Sequence, residues 1–455
     1  MPSRKRKLLF YIFILAFLVI TPITILYAQG YRFQWSWPPQ WDQALQKTGM
    51  LMLETEPKGA QVYIDGEPQT SFMDGVFTDS ESAPIRTPAQ IKYLLPGTYK
   101  VTLKKDGYWK WEKEMEVKPG KQTKVKDISL FKKNLPLRMA DTPLQEFKLS
   151  PDKERAILLQ DQCLVELDTG ESQCFTSPEE MSGEDKEAEW GPQGEHFLMG
   201  GYLYDIRDLD NPVPLESDQE KEVKNVRWTD ASTIYYQYNG KLKEFNPQNN
   251  QSRVLLSVKE RTVAQMVDDH YIHTINMEDK DSVYRVHSKD SQEMIREIKL
   301  PRSDSYRFIH SEHSLINVYN EDYHTLRLIN IHSLINPIKH VIEKVKYTDW
   351  RNDQELLYTT PFELWVYNTK GDKKTLLTRI SESITGVDTY TAKGYILYYT
   401  ESSINVLEEE EEGKIKTTTL MELQRITSPR FDKQENTIYF NAEIGRKRGL
   451  YKLKI

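Results

Sequence analysis

Thr233-Ile-Tyr-Tyr-Gln-Tyr238, Gly394-Tyr-Ile-Leu-Tyr-Tyr399 and Thr437-Ile-Tyr-Phe-Asn-Ala442 are three copies of one pattern, a short apolar run that follows a polar turn. A fixed period of roughly 40 residues is typical of repeat architectures. Runs of this kind recur along the last two thirds of the chain and begin near Ile157, Phe197, Ile234, Ile272, Ile316, Leu356, Ile396 and Ile438.

Each apolar run is followed by a second run in which apolar residues alternate with polar ones, as in Leu364-Trp-Val-Tyr367 and Leu450-Tyr-Lys-Leu453. Alternation with a period of two predicts a strand that buries one face. A short turn with Asp or Asn and Gly comes next, for example Asp168-Thr-Gly-Glu171 and Asn368-Thr-Lys-Gly371. These residues accept positive φ at low cost, so the turn predicts a hairpin. Each unit is therefore expected to be a small antiparallel sheet.

The repeat predicts an all-β fold in which four-stranded sheets are arranged radially, the β-propeller. A series of β-sandwiches is the alternative, and the even spacing favours the propeller. We assign the propeller to residues 133–455, with its repeats from about Phe147 to Ile455. Eight blades are expected. Seven is the alternative count, because the units around His270 and Ile316 are the least regular.

The last unit reaches Ile455 directly after its second strand, so it is expected to lack an outer strand of its own. The apolar segment Leu135-Pro-Leu-Arg-Met139 precedes the first unit. We predict that this segment pairs with the last sheet and closes the ring.

The length and charge of the chain limit the classes of function. The 455 residues exceed one ordinary domain, so at least two domains are expected. The formal net charge is −7, with 61 Lys and Arg against 68 Asp and Glu. No broad cationic field is available to collect nucleic acid, and we therefore predict no nucleic-acid partner.

The N-terminal sequence is typical of a membrane-spanning segment. Arg4-Lys-Arg-Lys7 precedes an uncharged, mostly apolar stretch at residues 8–28, and a helix of about 20 such residues matches the hydrocarbon thickness of a bilayer. Because cations stay on the cytoplasmic side, residues 1–7 are expected in the cytoplasm, residues 8–28 as a single-pass anchor in the cell membrane, and the bulk of the chain outside. A cleaved signal peptide ending at Leu26-Tyr-Ala28 is the alternative.

Residues 29–48 form an aromatic stalk between the apolar segment and the next domain. The aromatic residues are Tyr31, Phe33, Trp35, Trp37 and Trp41. Amphipathic rings sit well at the headgroup level, which favours an interfacial belt. A segment that packs against the next domain is the alternative.

A second β module is expected at residues 49–132. Its characteristic sequences are Pro57-Lys-Gly-Ala60, Val62-Tyr-Ile-Asp-Gly66, Thr87-Pro88, Leu95-Pro-Gly97, Tyr99-Lys-Val101 and Lys105-Asp-Gly-Tyr108. With these motifs the segment resembles the PEGA domain, a small all-β module of bacterial surface and envelope proteins. Lys58 stands where the family has its naming glutamate, and residues 68–86 form a polar insertion with Asp74, Asp79 and Glu81. The resemblance implies binding or envelope structure rather than catalysis.

The only two cysteines, Cys163 and Cys174, flank the turn at Asp168. Strands joined by this turn bring them opposite one another, and a disulfide there would persist in an oxidising compartment. Two buried free thiols are the alternative.

No residue pattern identifies a catalytic, metal or cofactor site. The sequence has no Gly-x-Ser-x-Gly elbow and no glycine-rich phosphate loop. His270 and His273, like His310 and His313, are three positions apart, which places their side chains on opposite faces of a strand. Inter-blade or solvated histidines are expected instead of a metal site.

Two further groups of residues have structural interpretations. The run from Glu408 to Glu412 predicts a solvated hairpin tip rather than a Ca²⁺ loop, which would interleave Asp with Gly. A set of paired tyrosines is expected to fill blade packing, with a binding face as the alternative; these are Tyr235, Tyr236, Tyr398 and Tyr399.

The sequence as a whole predicts a non-enzymatic envelope protein whose propeller is a platform for an envelope protein or a cell-wall glycan, without a cofactor. Loops held by rigid blades commonly carry such binding sites. The alternative is a polysaccharide-degrading enzyme that uses paired carboxylates in the propeller channel.

Overall fold

A computed structural model describes residues 3–33, 45–70, 84–176, 187–216, 223–229, 233–259, 261–309, 314–390, 394–409 and 414–455. The chain divides into two units, one of Met1–Asn134 with Ile455 and the other of Leu135–Lys454. Several residues named above lie outside the described part, namely Trp35, Trp37, Trp41, Asp74, Asp79, Glu81, His310, His313 and Glu410 to Glu412.

The first unit begins with a helix and contains three sheets among the described residues. The helix, α1, spans Ser3–Ala28 and includes Pro22. A short antiparallel pair follows, β1 (Tyr31–Phe33) with β2 (Leu45–Lys47). The remaining strands are β3 (Gly49–Glu56), β4 (Gln61–Ile64), β5 (Glu67–Pro68), β6 (Ala89–Leu94), β7 (Gly97–Lys104), β8 (Trp111–Val117) and β9 (Gln122–Ser129).

The strands β3 to β9 build a β-sandwich. One sheet has the order β6-β3-β9 and the other β5-β4-β7-β8. Alternate residues of β3 are buried, and Leu51 and Leu53 from this strand share one apolar core with Val62, Val101 and Trp111 of the other sheet. The period-two pattern of the sequence therefore buries one face of each sheet against the other.

The second unit consists of eight four-stranded antiparallel sheets among the described residues. The first seven each take four consecutive strands, from β11-β12-β13-β14 to β35-β36-β37-β38. Their strands are β11 (Phe147–Leu149), β12 (Arg155–Leu158), β13 (Cys163–Glu166), β14 (Ser172–Cys174), β15 (Ala188–Trp190), β16 (His196–Met199), β17 (Tyr202–Asp205), β18 (Asp208–Pro214), β19 (Lys224–Trp228), β20 (Ile234–Tyr238), β21 (Lys241–Asn246), β22 (Gln251–Ser257), β23 (Thr262–Val267), β24 (Tyr271–Met277), β25 (Ser282–Ser288), β26 (Met294–Leu300), β27 (Tyr306–Ile309), β28 (Ile316–Asn320), β29 (Thr325–Ile329), β30 (Ile338–Ile342), β31 (Thr348–Asn352), β32 (Glu355–Thr359), β33 (Glu363–Asn368), β34 (Lys373–Arg379), β35 (Ile384–Thr389), β36 (Tyr395–Thr400), β37 (Ser403–Glu409) and β38 (Ile415–Glu422).

The eighth sheet combines the two ends of this unit. Its order is β10-β41-β40-β39. Its strands are β10 (Leu137–Ala140), β39 (Ile426–Asp432), β40 (Thr437–Ile444) and β41 (Lys447–Lys454). The first strand of the unit is thus the outer strand of the last sheet.

Successive sheets pack on one another around a common axis. The first strands of neighbouring sheets lie in contact from β11 to β27 and from β31 to β39. Shared apolar clusters join the faces of neighbouring sheets, such as Tyr284 with Val318 and Tyr319 with Tyr358. A radial series of antiparallel sheets whose first strands face the centre is a β-propeller, as the repeat predicted.

The ring closes where the eighth sheet meets the first. Leu137 and Arg138 of β10 pair with Lys452 and Tyr451 of β41, which confirms the predicted pairing of the segment before the first unit. Phe147 of the first sheet shares an apolar cluster with Tyr439 and Leu450 of the eighth, and Lys153 Nζ lies 2.8 Å from Asp432 Oδ2.

The close approach of β10 to β41 depends on Gly449. A Cβ at this position would collide with the backbone carbonyl oxygen of Ala140, which belongs to a hydrogen-bonded strand and has little room to move. A Gly449→Ala variant is therefore expected to lower the free energy of unfolding by about 1–3 kcal/mol, the usual cost of overpacking.

Urea denaturation followed by circular dichroism measures this effect. The matched control is Gly371→Ala, because a Cβ at Gly371 meets its nearest atom, Asn368 Oδ1, at an ordinary 3.4 Å. The control is expected to stay within about 0.5 kcal/mol of the wild type. Equal effects of the two substitutions would contradict the tight pairing of β10 with β41.

Candidate functional site

Residues of the first strands of the fifth to eighth sheets, with some of their neighbours, line a cavity of about 310 Å³. Each of the four sheets contributes to its wall: Arg307 from β27, Tyr347 beside β31, Asp388 from β35 and Arg430 from β39. Pockets for small ligands begin at about 300 Å³. The cavity is therefore large enough for one small chemical group.

Two of the three cations that line the cavity are already engaged by protein groups. Arg307 Nε lies 2.9 Å from Glu321 Oε1. Lys346 Nζ donates to Ser383 Oγ at 3.2 Å and to the carbonyl oxygen of Ile384 at 3.1 Å. Lys346 thereby links the sixth sheet to the seventh.

Arg430 differs from these two cations. Its side chain is exposed and donates to the carbonyl oxygen of Pro429 at 3.2 Å. Within the described ranges, no carboxylate lies within 4 Å of its guanidinium nitrogens. A guanidinium carries five N–H donors in a planar fork that matches a carboxylate, so Arg430 retains donors for an anion in the cavity.

Asp388 is the carboxyl group of the cavity wall, and Tyr399 holds it in place. The Tyr399 hydroxyl donates to Asp388 Oδ2 at 2.8 Å. Burial raises the pKa of Asp388 to about 7, with a further increase from the neighbouring Asp349, whereas Tyr399, Lys433 and Arg430 act in the opposite direction. Asp388 therefore holds its proton to a higher pH than an ordinary aspartate does.

The hydrogen bond to Asp388 requires Tyr399 to lie directly against the backbone of β35. Tyr399 is fully buried, and burial raises the pKa of its hydroxyl well above the usual value, so that the hydroxyl remains a donor. A Cβ at Gly386 would lie only 2.9 Å from Cδ2 of the Tyr399 ring. Gly386 therefore makes room for the ring that positions Asp388.

A polar link beside the cavity joins three successive sheets. Asp349 Oδ2 accepts hydrogen bonds from the backbone N–H of Thr389 at 2.7 Å, from the Thr389 hydroxyl, and from Lys433 Nζ at 3.1 Å. Lys433 Nζ also donates to Thr389 Oγ1 at 2.8 Å. These hydrogen bonds occupy Asp349 Oδ2 and connect the three sheets.

The four tyrosines singled out in the sequence are all buried in the propeller. Tyr235 donates to Glu244 Oε1 at 2.9 Å and Tyr236 to Glu216 Oε1 at 2.6 Å. These two tyrosines fill the blades, as expected. Tyr399 packs inside its sheet and is also one of the residues that line the cavity.

The disulfide candidates lie opposite one another. Cys163 of β13 and Cys174 of β14 are partners in the antiparallel register, and their sulfur atoms are bonded. Of the two alternatives left by the sequence, the structure has the bonded form.

The most deeply buried histidine in the part of the chain that the structure describes has structural partners. His273 is completely buried. Its Nδ1 lies 2.8 Å from the Tyr284 hydroxyl and its Nε2 lies 2.9 Å from Asp268 Oδ2. No group of three metal-ligating side chains is found in the part of the chain that the structure describes.

Part of the glutamate run is engaged as well. Glu408 and Glu409 belong to β37, and Arg351 Nη2 lies 2.6 Å from Glu409 Oε2. The expected solvated tip would begin after Glu409, outside the described residues.

The sequence analysis did not single out the charged residues of the cavity. We call the residue near which the apolar run of each unit begins its landmark residue. Asp388 and Arg430 each lie eight positions before the landmark residue of their unit, which is Ile396 for Asp388 and Ile438 for Arg430. A comparison of the units at that offset would have placed both in first strands. Their meeting in one cavity depends on the packing of the seventh sheet against the eighth, which no single unit encodes.

Known proteins give a partial match to the first unit. Residues 77–130 match the PEGA domain family. The resemblance proposed from the sequence is thereby confirmed for this segment. The motifs at residues 57–66 lie before the match, and the structure places them at β4 and its flanking turns, within the same β-sandwich. A comparison with curated proteins found no match.

Solved structures resemble the chain at low identity. A structure titled as that of the mitotic checkpoint complex is 11% identical with a TM-score of 0.41, covering 71% of this chain and 95% of that one. Dihydro-heme d1 dehydrogenase NirN in complex with DHE is 13% identical (TM-score 0.45; 61% and 66% covered). A eukaryotic initiation factor is 11% identical (TM-score 0.46; 67% and 82% covered).

The helix α1 contains a segment that is long and apolar enough to cross a membrane. Leu9–Ala28 has 20 residues and a mean hydropathy of 2.7, and none of it is buried in the protein. A retained anchor and a signal sequence share these properties.

The raised pKa of Asp388 predicts a pH-dependent stability. An unfolded aspartate titrates at about 3.9, whereas the folded pKa of Asp388 is about 7. Between these values the folded protein binds more protons than the unfolded chain, so this carboxyl makes the free energy of unfolding fall as pH rises. Asp388→Asn removes the titration and is expected to flatten that decline.

Urea denaturation at pH 5 and pH 7 measures the difference in stability. Asp210→Asn, on an exposed position of β18, is the matched control and is expected to keep the decline of the wild type. An Asp388→Asn variant whose stability falls as steeply as that of the control would show that Asp388 titrates normally.

Proposed function

We propose that the chain is a non-enzymatic binding or scaffold protein of the bacterial envelope, anchored by its N-terminal helix with the two β units outside the cell. The PEGA match and the propeller fit a binding or scaffold role. The propeller is the binding platform in this proposal, and its ligand is an envelope protein or a cell-wall glycan.

The observation that carries the proposal is the cavity with Arg430. Arg430 has no carboxylate partner in the part of the chain that the structure describes, and it lies in one wall with Tyr347 and Phe431, so the cavity offers both charge and apolar surface to a ligand. Because β-strands hold these residues in place, binding of a ligand costs little conformational entropy. Asp349, by contrast, is already paired with Lys433.

The membrane location rests on α1 and the charges before it. Arg4, Lys5, Arg6 and Lys7 precede the apolar segment, and cations of this kind favour the cytoplasmic side. A disulfide between Cys163 and Cys174 suits an oxidising compartment. Both features support placing the propeller outside the cytoplasm.

A second candidate function is supported by Asp388. Glycoside hydrolysis uses a protonated carboxylic acid near a second carboxylate, and Asp388, with a pKa of about 7, has Asp349 as a neighbouring charge. Against this role, one oxygen of Asp349 accepts three hydrogen bonds from Thr389 and Lys433. A carboxylate held in this way is a poor nucleophile or base.

Binding and turnover measured together distinguish the two functions. The full chain in detergent micelles is mixed with solubilised cell-wall glycan and with a detergent extract of envelope proteins, and bound material and newly formed reducing ends are quantified. We expect binding without reducing-end release, with binding weakened at least tenfold by Arg430→Ala. The exposed Arg446→Ala is the matched control and is expected to bind normally.

Reducing ends that accumulate with the wild type and disappear with Asp388→Asn would establish the enzyme instead. Absence of binding to either preparation, or binding that is indifferent to Arg430→Ala, would contradict the proposal that the channel is the binding site.

A further inference from the structure

The cavity groups define which ligand chemistry the channel accepts, and this inference rests on the proposed binding function. Among the described residues, Arg307, Lys346 and Arg430 bring three cations to the wall, and Asp388 is its one carboxyl group. Glu321 offsets Arg307, whereas Arg430 has no such partner among the described residues. The local charge therefore favours an anion.

The neutral part of the wall favours a ring with hydroxyl groups. Tyr347 and Phe431 contribute partly buried aromatic rings, and Thr348 and Thr385 contribute hydroxyls. Aromatic rings beside a few polar groups are the usual lining of a site for a small ligand.

The size and shape of the cavity argue against an extended peptide. Peptides are commonly recognised through a row of main-chain hydrogen bonds along a sheet edge or by a long groove. The cavity is compact, at about 310 Å³, and residues with charged side chains, namely Arg430, Lys346 and Asp388, lie in its wall. It accommodates one sugar-sized unit better than several peptide residues.

We propose that the cavity binds a carboxylate-bearing sugar unit of an acidic glycan, with Arg430 pairing with the carboxylate beside Asp388, and Tyr347 and Phe431 contacting the ring. The ligand carboxylate and an ionised Asp388 would repel each other in a site of low dielectric. Protonation of Asp388 removes this repulsion, so binding of the sugar acid takes up a proton.

The charged groups around Asp388 fix the direction of this coupling. Asp349 adds negative charge, Lys433 and Arg430 add positive charge, and the Tyr399 hydroxyl donates to Asp388. Lys433 is already paired with Asp349, so the ligand carboxylate and Asp388 compete mainly for Arg430. Affinity is therefore expected to fall as pH rises through neutrality.

Tetragalacturonate and its methyl ester are suitable probes, because they have the same sugar rings and differ in charge. Isothermal titration calorimetry with the full chain is expected to give at least tenfold tighter binding of the acid than of the ester at pH 6. Arg430→Ala should abolish this preference, and Arg446→Ala should retain it. Thermal unfolding of each variant checks that the fold is intact.

The pH series tests the role of Asp388. We expect the wild type to bind tetragalacturonate severalfold more weakly at pH 8 than at pH 6, and Asp388→Asn to bind equally at both. Calorimetry in buffers of different ionisation enthalpy is expected to show proton uptake by the wild type at pH 7, which the Asp388→Asn variant lacks.

Three outcomes would overturn the inference. These are equal binding of the acid and the ester, a charge preference that survives Arg430→Ala, and tighter binding of a tetrapeptide with a free C-terminal carboxylate. Each of them leaves the proposed function standing if envelope material still binds in an Arg430-dependent manner. Loss of the Arg430-dependent binding of envelope material would contradict both this inference and the proposed function.

Discussion

The pairing of β10 with β41 is the constraint on which the propeller depends. It joins residues more than 300 positions apart in the sequence, since Arg138 Nη2 also donates to the carbonyl oxygen of Arg448. The loop-closure entropy of such a pairing is large but rises only slowly with chain length. The apolar contact of the eighth sheet with the first, through Phe147, Tyr439 and Leu450, offsets it. Without this closure the first and last sheets would each expose an apolar face.

Polar links between first strands hold neighbouring sheets in register around the axis. Glu189 Oε1 accepts from the backbone N–H of Trp228 in the next sheet, as Asp349 Oδ2 does from Thr389. In both cases a carboxylate accepts a hydrogen bond from a backbone N–H of the next sheet, and backbone N–H groups removed from water need such an acceptor. Asp388 departs from this arrangement, because its hydrogen bond comes from Tyr399 within its own sheet. Its carboxyl group therefore remains on the cavity wall.

Much of the fold could be predicted from the sequence because it is encoded locally. The eight landmark residues all lie in the second strand of a sheet, from Ile157 in β12 to Ile438 in β40, since hydrophobic alternation and turn residues act over a few positions. The site could not be predicted in this way. Arg307 and Arg430 come from the fifth and the eighth sheet, and only the packing of successive sheets brings both to the wall of one cavity. The complete burial of His273 between Tyr284 and Asp268 is likewise a tertiary effect that spacing alone does not show.

A designed disulfide between β10 and β41 tests the closure most directly. Leu137 and Lys452 are directly opposed in the antiparallel register, so the double substitution Leu137→Cys with Lys452→Cys is expected to form an intramolecular bond. Peptide mapping of the full chain by mass spectrometry under non-reducing conditions detects this bond. Pairing Leu137→Cys instead with Leu453→Cys, whose side chain points to the other face of the strand, is the matched control and is expected to stay reduced. A bond that forms equally in both pairs, or in neither, would contradict a propeller closed by these two strands.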